Sequence, residues 1–462
     1  MLDKWHKKEK PVFTGITRGI GGFGLGSAGL SYWIATLGGT SFETSGAIAI
    51  DNSGNVYIAG NTESDGAGDS DIVIAKYNSS GTIQWQRTLG GTSEYDYGRG
   101  IAIDNSGDVY IVGRAFSDDA GDFFDILIAK YNSSGTIQWQ RTLGLPPGGV
   151  STAFDTGAGI AVDNSDNVYI VGRTDLGGAG NRDILIAKYN SSGTIQWQRN
   201  LGGTSNDVGY EIAVDNSGNV YIVGQTSSDG AGGADTLIAK YNSSGTIQWQ
   251  RTLGGTSEYD YGRGIAIDNS GDVYIVGRAF SDDAGDFFDI LIAKYNSSGT
   301  IQWQRTLDGV SDETGQGIAI DNSDNVYIVG QTSSDGAGGS DNWIAKYNTS
   351  GDIQWQRTLG GTDTDSGFGI AVDNSDNVYI VGRTRSDGAG DYDIVIAKLP
   401  GDGSRTGIYG AFTYTSSSLT DSASSLTSSV STLTSSVSTL TDSASNLTDA
   451  ASDLTSSFIP LV

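Results

Sequence analysis

Asp51-Asn-Ser-Gly-Asn-Val-Tyr-Ile-Ala-Gly60 decides the fold, because the chain writes this stretch seven times with small changes. The leading aspartate returns as Asp104, Asp163, Asp215, Asp268, Asp321 and Asp373, at spacings of 52 to 59 residues. A second element, Ile-Gln-Trp-Gln-Arg, follows each of the first six copies, with Trp85, Trp139, Trp197, Trp249, Trp303 and Trp355. A seventh tryptophan of this kind, Trp33 in Ser31-Tyr-Trp-Ile-Ala-Thr-Leu37, stands ahead of the first copy. Self-similarity at this period marks a solenoid or a propeller.

Working outward within the second copy, four short segments are rich in β-branched and aromatic residues: Gly100–Ile103, Val109–Gly113, Asp125–Tyr131 and Ile137–Leu143. Such composition predicts strands. Asn105-Ser-Gly-Asp and Asn132-Ser-Ser-Gly between them are hairpin turns, where Asn and Gly tolerate the positive φ of a tight reversal. Seven four-stranded units predict an all-β, seven-bladed β-propeller. The strand Tyr32–Leu37 has no unit of its own and is expected to complete the seventh, Gly369–Leu399, closing the ring. A stacked solenoid is the alternative, but it would need atypical end repeats, and these look ordinary.

The patterns W-x-x-x-L-G-G, A-[IV]-D-x-S-x-[ND]-V-Y-[IV]-x-G and D-x-x-I-A-K, repeated in phase over residues 31–400, resemble the SBBP-type β-propeller repeats of bacterial and phage proteins. That resemblance implies a noncatalytic surface or virion-associated module. Ile74–Leu143 is identical to Ile238–Leu307, the trace of copied blades.

Composition narrows the chemistry. The 462 residues include 69 glycines, one histidine, no cysteine, and a net charge of −27. Disulfides, cysteine zinc sites, thiol nucleophiles and His-based triads are excluded. The acidic body predicts no nucleic-acid partner, and no apolar run is long enough for membrane insertion.

Residues 1–30 form a distinct arm, basic at first (Lys4, Lys7, Lys8, Lys10, Arg18) and then glycine-rich. Its opening, MLDKWHKKEKPVFTGITRG, is similar to the N-termini of structural proteins of marine cyanobacterial phages. That implies attachment to other virion proteins. Residues 31–414 are assigned to the propeller, and residues 415–462 form a third segment. There leucine recurs every seven residues, at Leu419, Leu426, Leu433, Leu440, Leu447, Leu454 and Leu461. Ala423, Val430, Val437, Ala444, Ala451 and Phe458 follow the first six at a distance of four. This 4–3 alternation predicts an α-helical coiled coil, although its Ser/Thr surface is poor in helix formers. A homo-oligomer follows. Val and Ala at a with Leu at d lean towards a dimer, the phage-fibre analogy towards a trimer, and the trimer is favoured.

Loops on a rigid scaffold carry function, and one propeller face varies between copies. Its aromatics are Tyr95, Tyr97, Phe116, Phe123 and Phe124, repeated as Tyr259, Tyr261, Phe280, Phe287 and Phe288, with Asp96 and Asp260 among the interspersed acids. Aromatic faces beside carboxylates suit sugar rings, so the propeller is expected to serve either host-surface glycan recognition or assembly contacts. Calcium is a second ligand considered, for the Asp-Asn-Ser-Asp-Asn turns at 163–167, 321–325 and 373–377; the spacing is not that of an EF-hand. No metal ligands or cofactor are assigned. No acid is seen to stand out from its repeat-mates, which argues against an enzyme. The function expected is a virion tail, baseplate or fibre component. The alternative is a secreted or cell-surface bacterial propeller acting as a lectin or polysaccharide-degrading enzyme.

Overall fold

The structure is a computed structural model. It describes residues 32–461 except 93–94, 118–122, 145–153, 177–179, 257–258, 281–286, 425–426, 432, 438–440, 445–447 and 452–454. The N-terminal arm and the loop Leu145–Val150 therefore lie outside the described residues. So do Leu426, Leu440, Leu447 and Leu454.

Seven antiparallel sheets surround one axis. In blade one the strands run from the axis outward as Glu43–Ile50, Val56–Thr62, Asp71–Tyr77 and Ile83–Gly90. Blades two to seven begin at Tyr97, Thr156, Asp207, Tyr261, Glu313 and Asp365. Trp33–Gly38 pairs with Asp393–Leu399 and supplies the fourth strand of blade seven, so the first described strand closes the ring. The two middle strands of each blade are largely buried. Val56, Tyr57, Ile58 and Ala59 are fully covered, because both faces pack on neighbouring blades.

Each interface is pinned by the repeat tryptophan. The Trp85 indole donates to the Ser133 carbonyl at 3.2 Å and covers Gly135, where a Cβ would meet the ring at 2.7 Å. Gly135 has φ +77°, so the turn needs glycine for its backbone as well as for this contact. Trp33 makes the same bond to Ser79, which ties blade seven to blade one. The Asp-Asn-Ser turns are self-contained. Asp163 Oδ1 accepts the Ser165 and Asn167 amides, and its Oδ2 accepts Asn167 Nδ2 and the Tyr169 hydroxyl. Among the described residues no group of three acidic, His or Cys side chains could hold a metal ion.

The segment after Thr406 corrects the coiled-coil expectation. Its described residues contain no helix; they are short strands, one set on each blade. Phe412–Ser416 pairs with Ile353–Gly360 of blade six, and Thr420–Ala423 with Ile301–Asp308 of blade five. Thr427–Val430, Thr434–Val437, Thr441–Ala444 and Thr448–Ala451 cover blades four, three, two and one. Thr455–Pro460 then pairs with Trp33–Gly38 of blade seven. The tail is a belt around the whole ring, laid against the order of the blades.

The seven-residue period is thus the circumference of one blade step. Ser416, Ala423, Val430, Val437, Ala444, Ala451 and Phe458 occupy the same register position on successive blades. The described leucines, Leu419, Leu433 and Leu461, fall between or after these strands. Leu419 is buried in the core between blades five and six, and Leu433 in that between three and four. Leu461 closes the circle against Tyr414 and Leu359 of blade six. Gln250 Nε2 holds the crossing by donating to the Ser431 and Leu433 carbonyls at 3.0 and 2.8 Å. Val430 is 68% exposed, as half of an outer edge strand should be. Of the apolar seam that argued for a trimer, Leu419, Leu433 and Leu461 are covered by the chain's own propeller, whereas Val430 and Phe458 are exposed. The strand Phe412–Ser416 runs through position 414 and also pairs with Gly407–Tyr409.

Buried acids set the pH response of the ring. Burial, aided by repulsion from Asp125, pushes Asp155 from 3.8 up to about 7. Burial, aided by Asp365, pushes Asp341 to about 6 against the pull of the Ala337 and Gly338 amides. Such groups favour the fold when protonated; their contribution is full below about 4 and lost as pH rises through 6 to 7. The turn aspartates Asp51, Asp163, Asp215, Asp321 and Asp373 behave oppositely. Burial opposes ionisation there, but donors from Asn, Ser and Tyr outweigh it and hold each below 3.8. Their contribution is lost as pH falls through that lowered value. Thermal unfolding from pH 3 to 8 is therefore expected to peak in mild acid. Asp155→Asn should flatten the alkaline limb, and an unchanged limb would contradict this.

Candidate functional site

Every innermost strand carries one extra residue, seen as a register shift against the second strand. The bulged residues are Gly46, Arg99, Ala158, Tyr210, Arg263, Gln316 and Phe368. A bulge re-aims a side chain that the sheet would otherwise pack, and here all seven converge on one cavity of about 690 Å³ on the axis. The residue facing each bulge is glycine for a steric reason. At Gly113 a Cβ would lie 1.9 Å from the Tyr97 carbonyl oxygen, and at Gly277 only 1.8 Å from that of Tyr261.

Arginines dominate the charge of this funnel. Arg99 and Arg263 stand on bulges, and Arg114, Arg173, Arg278 and Arg383 follow the facing glycines on the second strands. Arg99 is open to solvent along the axis yet enclosed by protein on its other sides. That enclosure, together with repulsion from Arg114, Arg173 and Arg263, pulls it down to about 10. Burial likewise lowers Arg114, Arg173 and Arg278. The Nε atoms of Arg114, Arg173, Arg263, Arg278 and Arg383 are buried without a hydrogen-bond acceptor. Aromatic rings support the guanidinium planes. Arg263 lies 4.5 Å over Tyr210, Arg114 4.3 Å over Tyr97, and Arg383 4.6 Å over Tyr392.

Glu211 breaks the repeat. The position after the bulge is Gly or Ala in the other six blades. Its carboxylate reaches the space beside Gly159, where a Cβ would lie 2.5 Å from its Oε1. Burial raises it to about 7 against the hydrogen bond from the Ile212 amide. One acid therefore does differ from its repeat-mates, contrary to the sequence reading. Glu63 is a second carboxylate on the cavity wall.

The residues singled out from sequence take several places. Tyr97 lines the cavity, stacked at 6.2 Å on the exposed Tyr95. Tyr261 stacks likewise on Tyr259 in blade five. Phe116 packs edge-on to Phe124, and Phe280 to Phe288, each pair beside an arginine of the funnel. Phe287 is exposed, and the side chain of Phe123 lies outside the described set. Asp96 and Asp260 are not free acids but buried loop clamps. Asp96 accepts the Gly91 and Phe116 amides, and Asp260 those of Gly255 and Phe280. Of the seam residues, Leu419 and Leu433 are buried, Val430 is exposed, and Val437 is placed by its backbone alone.

The bulge residues escaped the sequence reading, although a signal was present. In the stretch before each Asp-Asn, the residue between Gly98 and Gly100 and its counterparts reads Gly, Arg, Ala, Tyr, Arg, Gln and Phe across the blades. No neighbouring inner-strand position varies as widely.

A model of the SBBP beta-propeller repeat matches residues 84–119, 141–176, 196–230, 248–283, 308–336 and 354–388. The regulatory protein FlaEY of Caulobacter vibrioides is 28% identical over 201 residues, 37% of this chain and 21% of that protein. An uncharacterized WD repeat-containing protein, L264, of Acanthamoeba polyphaga mimivirus is 21% identical over 512 residues, 78% of this chain and 36% of its own length. The chain thus spans about a fifth and about a third of these relatives. Among solved structures, the polysaccharide lyase Uly1 is similar at 11% identity and a TM-score of 0.47, covering 77% of this chain and 90% of that one.

Proposed function

We propose that this chain, SBBP beta-propeller repeats closed into a seven-bladed ring, is a recognition module that binds a host-surface glycan in its axial funnel. The observation that carries the reading is the set of bulges: an almost invariant repeat diverges at the seven residues that meet in one cavity. Aromatic faces at Tyr97, Tyr210 and Phe368 beside guanidinium donors suit a sugar ring and its hydroxyls. The setting proposed is the exterior of a virus particle, with residues 1–30 as the attachment arm. The support for that setting is the arm's basic composition and its resemblance to phage structural proteins.

Glu211 favours a second reading, a polysaccharide-degrading enzyme, because an acid raised by burial and lining a cavity can transfer a proton. One experiment addresses both. The full chain is applied to a glycan array, and bound glycans are then analysed for cleavage. Selective binding that falls at least about tenfold in Tyr210→Ala and Phe368→Ala supports recognition. Cleavage lost in Glu211→Gln would favour the enzyme, and binding unaffected by any funnel variant would defeat both. Detection of the chain in purified particles tests the virion setting, which its absence there would refute.

A further inference from the structure

Three arginines, Arg99, Arg263 and Arg383, against two carboxylates, Glu63 and Glu211, line the cavity. Arg114, Arg173 and Arg278 add positive charge to Arg99 and Arg263 from outside the lining. In a chain of net charge −27 the funnel thus has a sign opposite to its surroundings. Such clustering is unfavourable by itself: the guanidinium groups repel one another, and five buried Nε–H donors lack acceptors. The surrounding protein offers little relief. Arg99 is influenced mainly by Arg114, Arg173, Arg263 and the Tyr210 hydroxyl, with no carboxylate among them. Arg263 is braced on the Tyr210 ring rather than paired with an acid. An incoming anion would relieve both costs together, and a planar carboxylate or a sulfate matches the guanidinium fork.

We propose that the funnel selects an acidic ligand, a glycan bearing carboxylate or sulfate groups, whose anion is taken between Arg99 and Arg263. This rests on the reading of the funnel as a recognition site and names its ligand class. Tyr210 and Phe368 flank the anion with faces for the ring that carries it. Arg114, Arg173 and Arg278 form the wall behind and keep the field positive. Both bulge arginines sit in copies of one duplicated sequence, Tyr97–Ile103 and Tyr261–Ile267, three blades apart. Duplication has therefore placed two equivalent cations on different sides of one axis.

Calorimetric titration of the full chain tests this with three probes: an oligogalacturonate, a heparin-type sulfated oligosaccharide and a neutral oligogalactose. The acidic probes should bind, and the neutral one should bind at least about tenfold more weakly. Whether carboxylate or sulfate binds more tightly identifies the anion. Arg99→Gln and Arg263→Gln, whose side chains face the cavity, should each lower acidic-ligand affinity about 10- to 100-fold, with the unfolding midpoint of the free protein no lower than before. Equal binding of neutral and acidic probes, unaffected by both variants but lost in Phe368→Ala, would overturn the anion assignment and leave recognition standing. No binding of any probe at millimolar concentration would overturn the anion assignment. Array glycans captured by other surfaces would instead overturn the funnel itself.

Discussion

Removal of residues 407–462 is expected to lower the Tm by roughly 10 °C and to make the remaining ring self-associate. The belt residues do three things that the ring cannot do for itself. Leu419, Leu433 and Leu461 fill gaps between blades, and burial of three such side chains contributes about 6 kcal/mol. Backbone pairing of the tail strands satisfies the outer edges of Ile83–Gly90 and its equivalents. Finally, an uncovered edge strand is a template for another chain, and deletion would expose seven of them. A helical oligomerisation tail would give the reverse outcome, a smaller assembly with an unchanged ring. Size-exclusion chromatography with light scattering, run beside a melting curve, separates the two. A stable monomeric ring after truncation would refute the belt.

Gly277→Ala is expected to destabilise the fold by about 3 kcal/mol and to displace Arg263. The added methyl would lie 1.8 Å from the Tyr261 carbonyl oxygen and 2.9 Å from Gly262 Cα. These are backbone atoms that no rotamer change can move aside. Relief requires the innermost strand to shift, and that strand holds the bulge with Arg263 at its tip. Stability and acidic-ligand affinity should therefore fall together. Gly339→Ala is the control, since its methyl would approach only the Thr364 hydroxyl at 3.0 Å, and it should change stability by less than about 0.5 kcal/mol. Denaturant titration of both variants measures the difference, and equal midpoints would contradict the steric account.

The ring was legible in the sequence because each blade is a local unit. Strand composition, Asn-Gly turns and the displaced Trp33 are all read within about fifty residues, and the structure shows the closure they imply. The tail was misread for a physical reason. Four residues of strand and three of crossing have the same period as two helical turns, so spacing alone cannot separate them. The composition could have done so. Thr-Ser-Ser-Val and Thr-Asp-Ser-Ala carry no strong helix former apart from alanine, whereas threonine and valine favour strands. The funnel was hidden differently. A bulge arises from pairing between strands, and only that pairing shows that the variable residue beside Gly98 turns inward. Tyr97 was found from sequence as an aromatic loop residue; Arg99, two positions on, was not.

The belt also has a meaning for inheritance. Ile74–Leu143 and Ile238–Leu307 are identical and lie three blades apart, so the gene invites unequal exchange that would delete or add blades in threes. Propeller modules of altered number often remain individually sound, and nothing in a blade itself records how many neighbours it should have. The belt does record it. Seven steps of seven residues fit a circle of seven blades, and the last leucine meets the first turn only when that number is correct. A recombinant with four blades would carry three surplus steps with no edge to cover. The tail is thus a ruler on a repetitive gene, and it ties the blade count to a sequence outside the repeats.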